Sequence, residues 1–284
     1  MPTVVITGAS TGIGRACALH LDREGWQVFA GVRSPAAADA LRAAGSERLI
    51  PLSLDVTDPD AIAAMVETVE RAVGEAGLQG VVNNAGIAVG GVLEFMDLDA
   101  VRQMMEVNVV GALAVTQPLI PLLRRARGRI VMMSSIAGRS ATPLVGAYAA
   151  SKHALEALTD ALRIELHPWG IQVSAVEPGN VATPIWEKAL AQAEEQLSRT
   201  PAPIQRLYGP LLELGLRKIR RAAGGRGTPP EAVARVVHHA LTAARPRTRY
   251  LVGRDAVIQY WVERLPDRLR DRIVLSQLPQ WGGA

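Results

Sequence analysis

The chain carries a single cysteine among 284 residues, Cys17, so no internal disulfide can form, and a reducing compartment suits it. Lysine is nearly as scarce. It occurs only at Lys152, Lys188 and Lys218, and arginine supplies almost all the cations. No segment holds about 18 or more uninterrupted apolar residues, which argues against a membrane span. No charged and apolar leader opens the sequence, because Thr3-Val4-Val5-Ile6-Thr7 runs straight into a glycine turn. These absences lead to the expectation of a cytoplasmic protein. Internal repeats and low-complexity tracts are missing too. No metal site is expected, since His238 and His239 are merely adjacent and His153 points about 100° away from Lys152 on an ideal helix. Neither serine near residue 134 lies in a nucleophile elbow, which sets aside Ser-His-Asp hydrolysis. The net charge is only +4 despite a pI near 9.6. The clusters Arg124-Arg125-Arg127-Arg129 and Arg217-Lys218-Arg220-Arg221 lack interleaved aromatics, so no nucleic-acid partner is expected.

What is present is a rhythm. Short apolar runs at 3–7, 26–31, 49–53, 79–83, 129–134, 171–176 and 248–252 alternate with helical patterns near 12–24, 35–44, 58–76, 98–125, 147–167 and 229–244. That alternation predicts one α/β domain, a doubly wound sheet of about seven parallel strands flanked by helices. Ser34-Pro35 predicts a capped helix start, with Gly45 closing that helix; Thr228-Pro229-Pro230-Glu231 reads as a capping box. The interval 184–227 breaks the rhythm and carries Ile185, Trp186, Leu190, Leu197, Leu207, Tyr208 and Leu211. Connections of that length are usually functional, and this one reads as a helical substrate lid inside a domain spanning 1–253. Residues 254–284 form an extension expected near the substrate side.

Two motifs carry chemistry. Tyr148-Ala149-Ala150-Ser151-Lys152 sets a phenol and an ammonium one helical turn apart, on the same face. A tyrosine normally titrates near pH ~10, and a neighbouring cation favours its phenolate. In a chain so poor in lysine, the placement favours acid–base chemistry over surface filling. The first strand runs into Gly8, Ser10, Thr11, Gly12, Ile13 and Gly14, and a helix follows. Glycines let the backbone approach a pyrophosphate, while the helix start presents free N–H groups and positive dipole.

With these motifs, Asn83-Asn84-Ala85-Gly86 after the fourth strand, Asn108, Ser135 and Pro178-Gly179 all stand in order. The chain thereby resembles the classical short-chain dehydrogenase/reductase family, in its hydroxysteroid/retinol dehydrogenase branch, over about residues 3–252. The resemblance implies a Rossmann-type fold and hydride exchange between a nicotinamide dinucleotide and a lipophilic alcohol or carbonyl. It implies Tyr148 as general acid or base and Lys152 as its pKa-lowering partner and ribose ligand. Ser135, thirteen positions before Tyr148, would orient the substrate oxygen in preference to Ser134, and Asn108 would order a water of the proton relay. Asp55 and Val56 would meet adenine, Asn83, Ala85 and Gly86 the adenosine channel, and Pro178, Gly179, Val181 and Thr183 the carboxamide. Arg33 and Ser34, with no acid before Asp39, point to NADP, with NAD as the alternative. Small residues along 147–161 match the family's dimer or tetramer helix. Two other functions stay open: a 3-oxoacyl-thioester reductase whose acidic carrier docks on Arg124–Arg129, and a non-catalytic NADP sensor. The 207–221 segment offers peripheral membrane contact.

Overall fold

The computed structural model describes residues 1–225 and 227–280. Seven parallel strands form one sheet in the order β3-β2-β1-β4-β5-β6-β7. They are β1 (Thr3–Ile6), β2 (Gln27–Val32), β3 (Leu49–Ser53), β4 (Gly80–Asn83), β5 (Arg129–Met133), β6 (Gln172–Pro178) and β7 (Arg249–Val252). The chain winds outward from β1 to β3, then returns to place β4 on the other side of β1. Strand order therefore reverses between β1 and β4, and the crevice beyond their carboxyl ends is where such sheets bind ligands.

Both faces of the sheet are covered, which is why the strands are apolar runs rather than alternating ones. Alternate residues enter opposite cores. Val4 and Ile6 pack with Leu21 of α1 (Gly12–Arg23) and with Val233 and Val237 of α9 (Pro230–Thr242). Val5 and Phe29 face the other way, toward Val69 of α3 (Pro59–Val73), Leu119 of α5 (Gly111–Ala126) and Leu155 of α6 (Gly146–Glu165). The helix α2 (Pro35–Ala44) starts as expected, with Ser34 Oγ accepting from Ala37 N at 3.3 Å.

Three features depart from the sequence pattern. The run at 98–125 is a helix, but α4 (Leu98–Met105) joins α5 through a π turn at Glu106–Val110. Leu98–Ala126 is long and apolar enough to cross a membrane by length and composition, despite lacking an uninterrupted apolar run. Within this fold that apolarity faces the core through Met104, Val115, Leu119, Leu122 and Leu123. Thr228 does not cap α9. Its N–H bonds Asn180 O at 2.9 Å and its carbonyl takes Ala182 N at 3.0 Å, so a short parallel bridge replaces the capping geometry. The expected lid is a helical hairpin, α7 (Ile185–Arg199) and α8 (Ala202–Ala223), pinned by Arg220 to Glu194 at 2.8 Å. Arg226, within the lid interval, and residues 281–284 of the extension lie outside the described residues. The extension continues in α10 (Arg254–Val262) and α11 (Asp267–Ser276).

Candidate active site

The glycine loop leaves β1 at the switch point, and its shape is fixed from β4. Thr7 Oγ1 accepts from Asn84 N and Ala85 N, each at 2.9 Å, and Asn84 Nδ2 donates to the carbonyls of Thr7 and Gly8 at 3.0 Å. A side chain at Gly14 would meet the Gly8 carbonyl oxygen at 2.3 Å and Asn84 Nδ2 at 2.4 Å, so only glycine lets helix and loop close. Gly12 adopts φ +57° and faces Thr183, whose methyl would lie 3.2 Å from an added Cβ. Ser10 leads into Thr11, the N-cap of α1, whose side chain caps nothing. The first-turn N–H groups are thus open toward the crevice, an anion cradle of the kind a pyrophosphate fills. Ile13 packs into the core below.

The rim of this cleft carries the other expected contacts. Arg33, at the end of β2, is 71% exposed and stands 4.0 Å from Asp55. Asp55 accepts from Thr57 N and Thr57 Oγ1 at 3.0 and 2.8 Å, bonds that hold its carboxyl below the usual range, with Arg33 a lesser contributor. Its second oxygen faces Arg33. Val56 is buried under Gly111. Asn83 departs from expectation: its amide donates to Thr116 Oγ1 at 2.7 Å, toward α5 rather than into the cleft. Ala85 lies against the glycine loop, its Cα 2.8 Å from a Cβ built on Gly8, and Gly86 lies beside Asn108 and Lys152.

The reactive groups converge beyond β5 and β6. Lys152 is buried, and its Nζ donates to Met133 O at 2.8 Å and stands 5.8 Å from the centre of the Tyr148 ring. Burial lowers this ammonium to about 8, while the Glu156 carboxylate one turn later pulls it back up. Burial raises the Tyr148 phenol above its ordinary 10, and a hydrogen bond with the Ser135 hydroxyl opposes that shift. Ser135 Oγ also accepts from Ala137 N at 3.1 Å and reaches Pro178 O at 3.5 Å. Ser134 is excluded from this group, because its hydroxyl is buried against Gly138. Asn108 sits on the π turn, an element that is frequent at functional sites. Its Oδ1 accepts from Ile87 N at 2.8 Å and its Nδ2 donates to Ile87 O at 2.9 Å and Ser151 Oγ at 3.0 Å. Ser151 in turn donates to Tyr148 O at 2.7 Å.

The sequence matches the short chain dehydrogenase family over residues 2–194. It is 40% identical to retinol dehydrogenase 5 of Mus musculus, over 98% of this chain and 89% of that protein. It is 39% identical to 17-beta-hydroxysteroid dehydrogenase type 6 of Bos taurus, with the same coverage. A short-chain dehydrogenase from Streptomyces avermitilis shares its fold at a TM-score of 0.78, with 29% identity over 97% of this chain and 96% of that one. The chain belongs to the short-chain dehydrogenase family.

Membership of the hydroxysteroid/retinol dehydrogenase-like branch makes this short-chain dehydrogenase an oxidoreductase that uses NAD(H) or NADP(H). The open N–H cradle and the tight Gly8–Gly14 closure fit such a dinucleotide. Thr7, Asn84 and Ser151 are supporting residues that sequence spacing did not single out, since each acts across long-range contacts. Behind the reactive groups lies a charged network. Arg139 Nε is 2.8 Å from both carboxylate oxygens of buried Glu177, and Arg249 reaches Glu177, Glu156 and Asp160 at 3.3, 3.0 and 2.6 Å. The extension closes the same end. Asp255 accepts from Asn180 N at 2.6 Å, beside Pro178 and Gly179, and Gln259 donates to Ser140 Oγ at 2.6 Å. The Arg124–Arg129 cluster is dispersed: Arg124 stacks on Trp169 at 4.3 Å, Arg125 pairs with Glu70 at 3.2 Å and Arg129 donates to Ala240 O at 3.0 Å.

Proposed function

We propose that this short-chain dehydrogenase interconverts a lipophilic alcohol and its ketone or aldehyde with NADP(H), Tyr148 passing the proton. The convergence of Ser135, Tyr148 and Lys152 beyond the carboxyl ends of β5 and β6 carries this reading. A bound nicotinamide dinucleotide supplies or accepts the hydride. Ser135 holds the substrate oxygen beside the phenol, and Tyr148 gives that oxygen its proton in reduction or takes it in oxidation. Lys152 biases the phenol toward its anion once the proton has left and presents its remaining N–H bonds to the ribose. Asn108 fixes the π turn behind Lys152, the route by which the proton is replaced. Tests are NADPH consumption against steroid, retinoid, aliphatic and 3-oxoacyl carbonyls. A rate confined to acyl thioesters would refute the alcohol/carbonyl reading.

The protonation states set a direction. With the phenol raised above 10 and the ammonium lowered only to about 8, Tyr148 carries its proton at neutral pH. Reduction should therefore run at full rate near pH 7, and alcohol oxidation should climb only as pH approaches the phenol's raised range, because loss of the Lys152 charge above about 8 opposes formation of the phenolate. Opposed pH profiles for the two directions check this; parallel profiles would contradict it.

Cofactor choice rests on Arg33, whose guanidinium is free to leave Asp55 for a 2′-phosphate, and on Ser34, whose cap uses only its lone pair and leaves the O–H to donate. Arg33→Ala should weaken NADP use by about 10- to 100-fold, the worth of a charge-assisted hydrogen bond, and leave NAD use nearly unchanged. Equal losses with both cofactors would count against it. The lipophilic substrate is supported by the entrance beside Tyr148: Leu93 packs against Gly146, Leu144 against Gly215 of α8, and Tyr208 of the lid donates to Glu94 at 2.6 Å.

A second contact is favoured by exposed apolar side chains of the extension, Val257, Ile258, Trp261 and Leu275, set among arginines. We assign them to an anionic lipid surface, in place of the 207–221 segment. The exposed Ala150, Ala157 and Ala161 stripe of α6 is assigned to a dimer. Sedimentation with and without anionic vesicles tests both, and a monomer wholly in the supernatant refutes both.

A further inference from the structure

One grouping lies outside the expectation of no metal ligands, because two distant helices assemble it. His20 and Glu24 are four residues apart at the carboxyl end of α1 and so share a face. α9 packs across α1 and brings His238 against them. The ligand atoms of His20, Glu24 and His238 all lie within 4.8 Å of one another. The two imidazoles meet edge to face, with centroids 5.3 Å apart.

We infer that these three residues form a binding site for a zinc-class divalent cation, clipping α1 to α9. Two imidazoles and a carboxylate are a borderline-soft donor set, suited to zinc, cobalt or nickel rather than magnesium or calcium. Three protein ligands leave a fourth position for water. Tetrahedral bonds of about 2.0–2.1 Å put ligand atoms roughly 3.4 Å apart, so the site closes by side-chain rotation alone. The residues are free to rotate: Glu24 is exposed and both histidines are half-buried. Among the described residues, no hydrogen bond and no ion pair within 4.0 Å engages either imidazole or the Glu24 carboxylate.

The neighbouring histidine shows the contrast. His239 meets the Tyr250 ring edge to face, and its Nδ1 lies 3.1 Å from the Tyr250 hydroxyl, which also accepts from Arg247 N at 2.9 Å. Its ring nitrogen has a hydrogen-bond partner; among the described residues the His238 imidazole has none. Arg23 and Arg235 lie near His20 and oppose a cation, which sets the affinity below that of an enclosed zinc site. Arg23 is drawn back by its bond to Leu19 O at 3.0 Å. The site is at the far end of α1 from the glycine loop, so occupancy acts on stability and not on the hydride step.

The test uses the full chain without an affinity tag, stripped of metal and titrated with Co²⁺ and Zn²⁺. One ion per chain is expected, with visible cobalt d–d bands that zinc displaces. The melting temperature should rise by about 5 °C with zinc roughly 100-fold above its Kd. His20→Ala and His238→Ala should abolish the cobalt spectrum and the shift, while metal-free turnover stays at the parent rate. Glu24 is exposed, so Glu24→Gln folds whatever happens to the others, and it should weaken binding. Absence of saturable binding, or unchanged affinity in Glu24→Gln, overturns the site.

Discussion

Tyr148→Phe should bind NADPH almost as the parent does and turn over about 10²- to 10⁴-fold more slowly, the usual worth of a positioned general acid. The substitution removes one oxygen. The ring keeps its place over Lys152, whose ammonium stays tied to Met133 O at 2.8 Å. Ser151 still bonds the backbone carbonyl of residue 148, so the link to Asn108 survives. What disappears is the O–H proposed to meet the substrate oxygen and the bond it shares with Ser135. Fluorescence titration separates cofactor affinity from single-turnover rate. Unimpaired turnover would move the proton transfer elsewhere, and a collapse of cofactor binding would make Tyr148 a structural residue.

Glu177→Ala should produce the largest loss of stability, about 3 kcal/mol, near the lower end for breaking a buried ion pair. The carboxylate is wholly enclosed at the end of β6, where it faces Arg139 at 2.8 Å and Arg249 at 3.3 Å. Its removal strands Arg139 without a carboxylate partner and leaves Arg249 to Glu156 and Asp160. Both arginines keep some access to water, 28% and 24%, which is why the cost falls short of that of a fully enclosed charge. Urea unfolding should show a lower midpoint with an unchanged slope. A loss under 1 kcal/mol would mean that the network rearranges to pair its remaining members. Arg139 follows the Ile136–Gly138 turn that carries Ser135, so the same variant should raise KM.

The seven strands, the helices between them and the break in rhythm at 184–227 were legible because each rests on local patterns: apolar runs, capping residues, a change of spacing. Ser34 is an example, since its cap involves only Ala37. What escaped was long-range. Thr228 has the spacing of a capping box, yet its backbone pairs with Asn180 and Ala182, which no local rule weighs. The π turn at 106–110 leaves the apolar pattern of the run nearly intact. Asn84 was visible as part of a motif, but its role in bracing the Thr7 and Gly8 carbonyls depends on β4 lying beside β1. Asn83, one residue earlier, points toward Thr116 because successive strand residues face opposite sides. The Arg124–Arg129 cluster reads as a block along the chain and disperses in space.

The clamp made by Asp255 sets an order of assembly on a chain that emerges from its amino end. The glycine loop appears first and its brace at Asn84 some seventy residues later, yet β6 gains its outer neighbour only when β7 has been synthesised. The loop at Pro178–Asn180 then waits for the carboxylate two residues past Gly253. A nascent chain halted before that point would hold most of the core with the edge of β6 uncovered, a surface prone to pairing with other chains. Completion of the reactive end is thereby tied to the synthesis of β7 and Asp255.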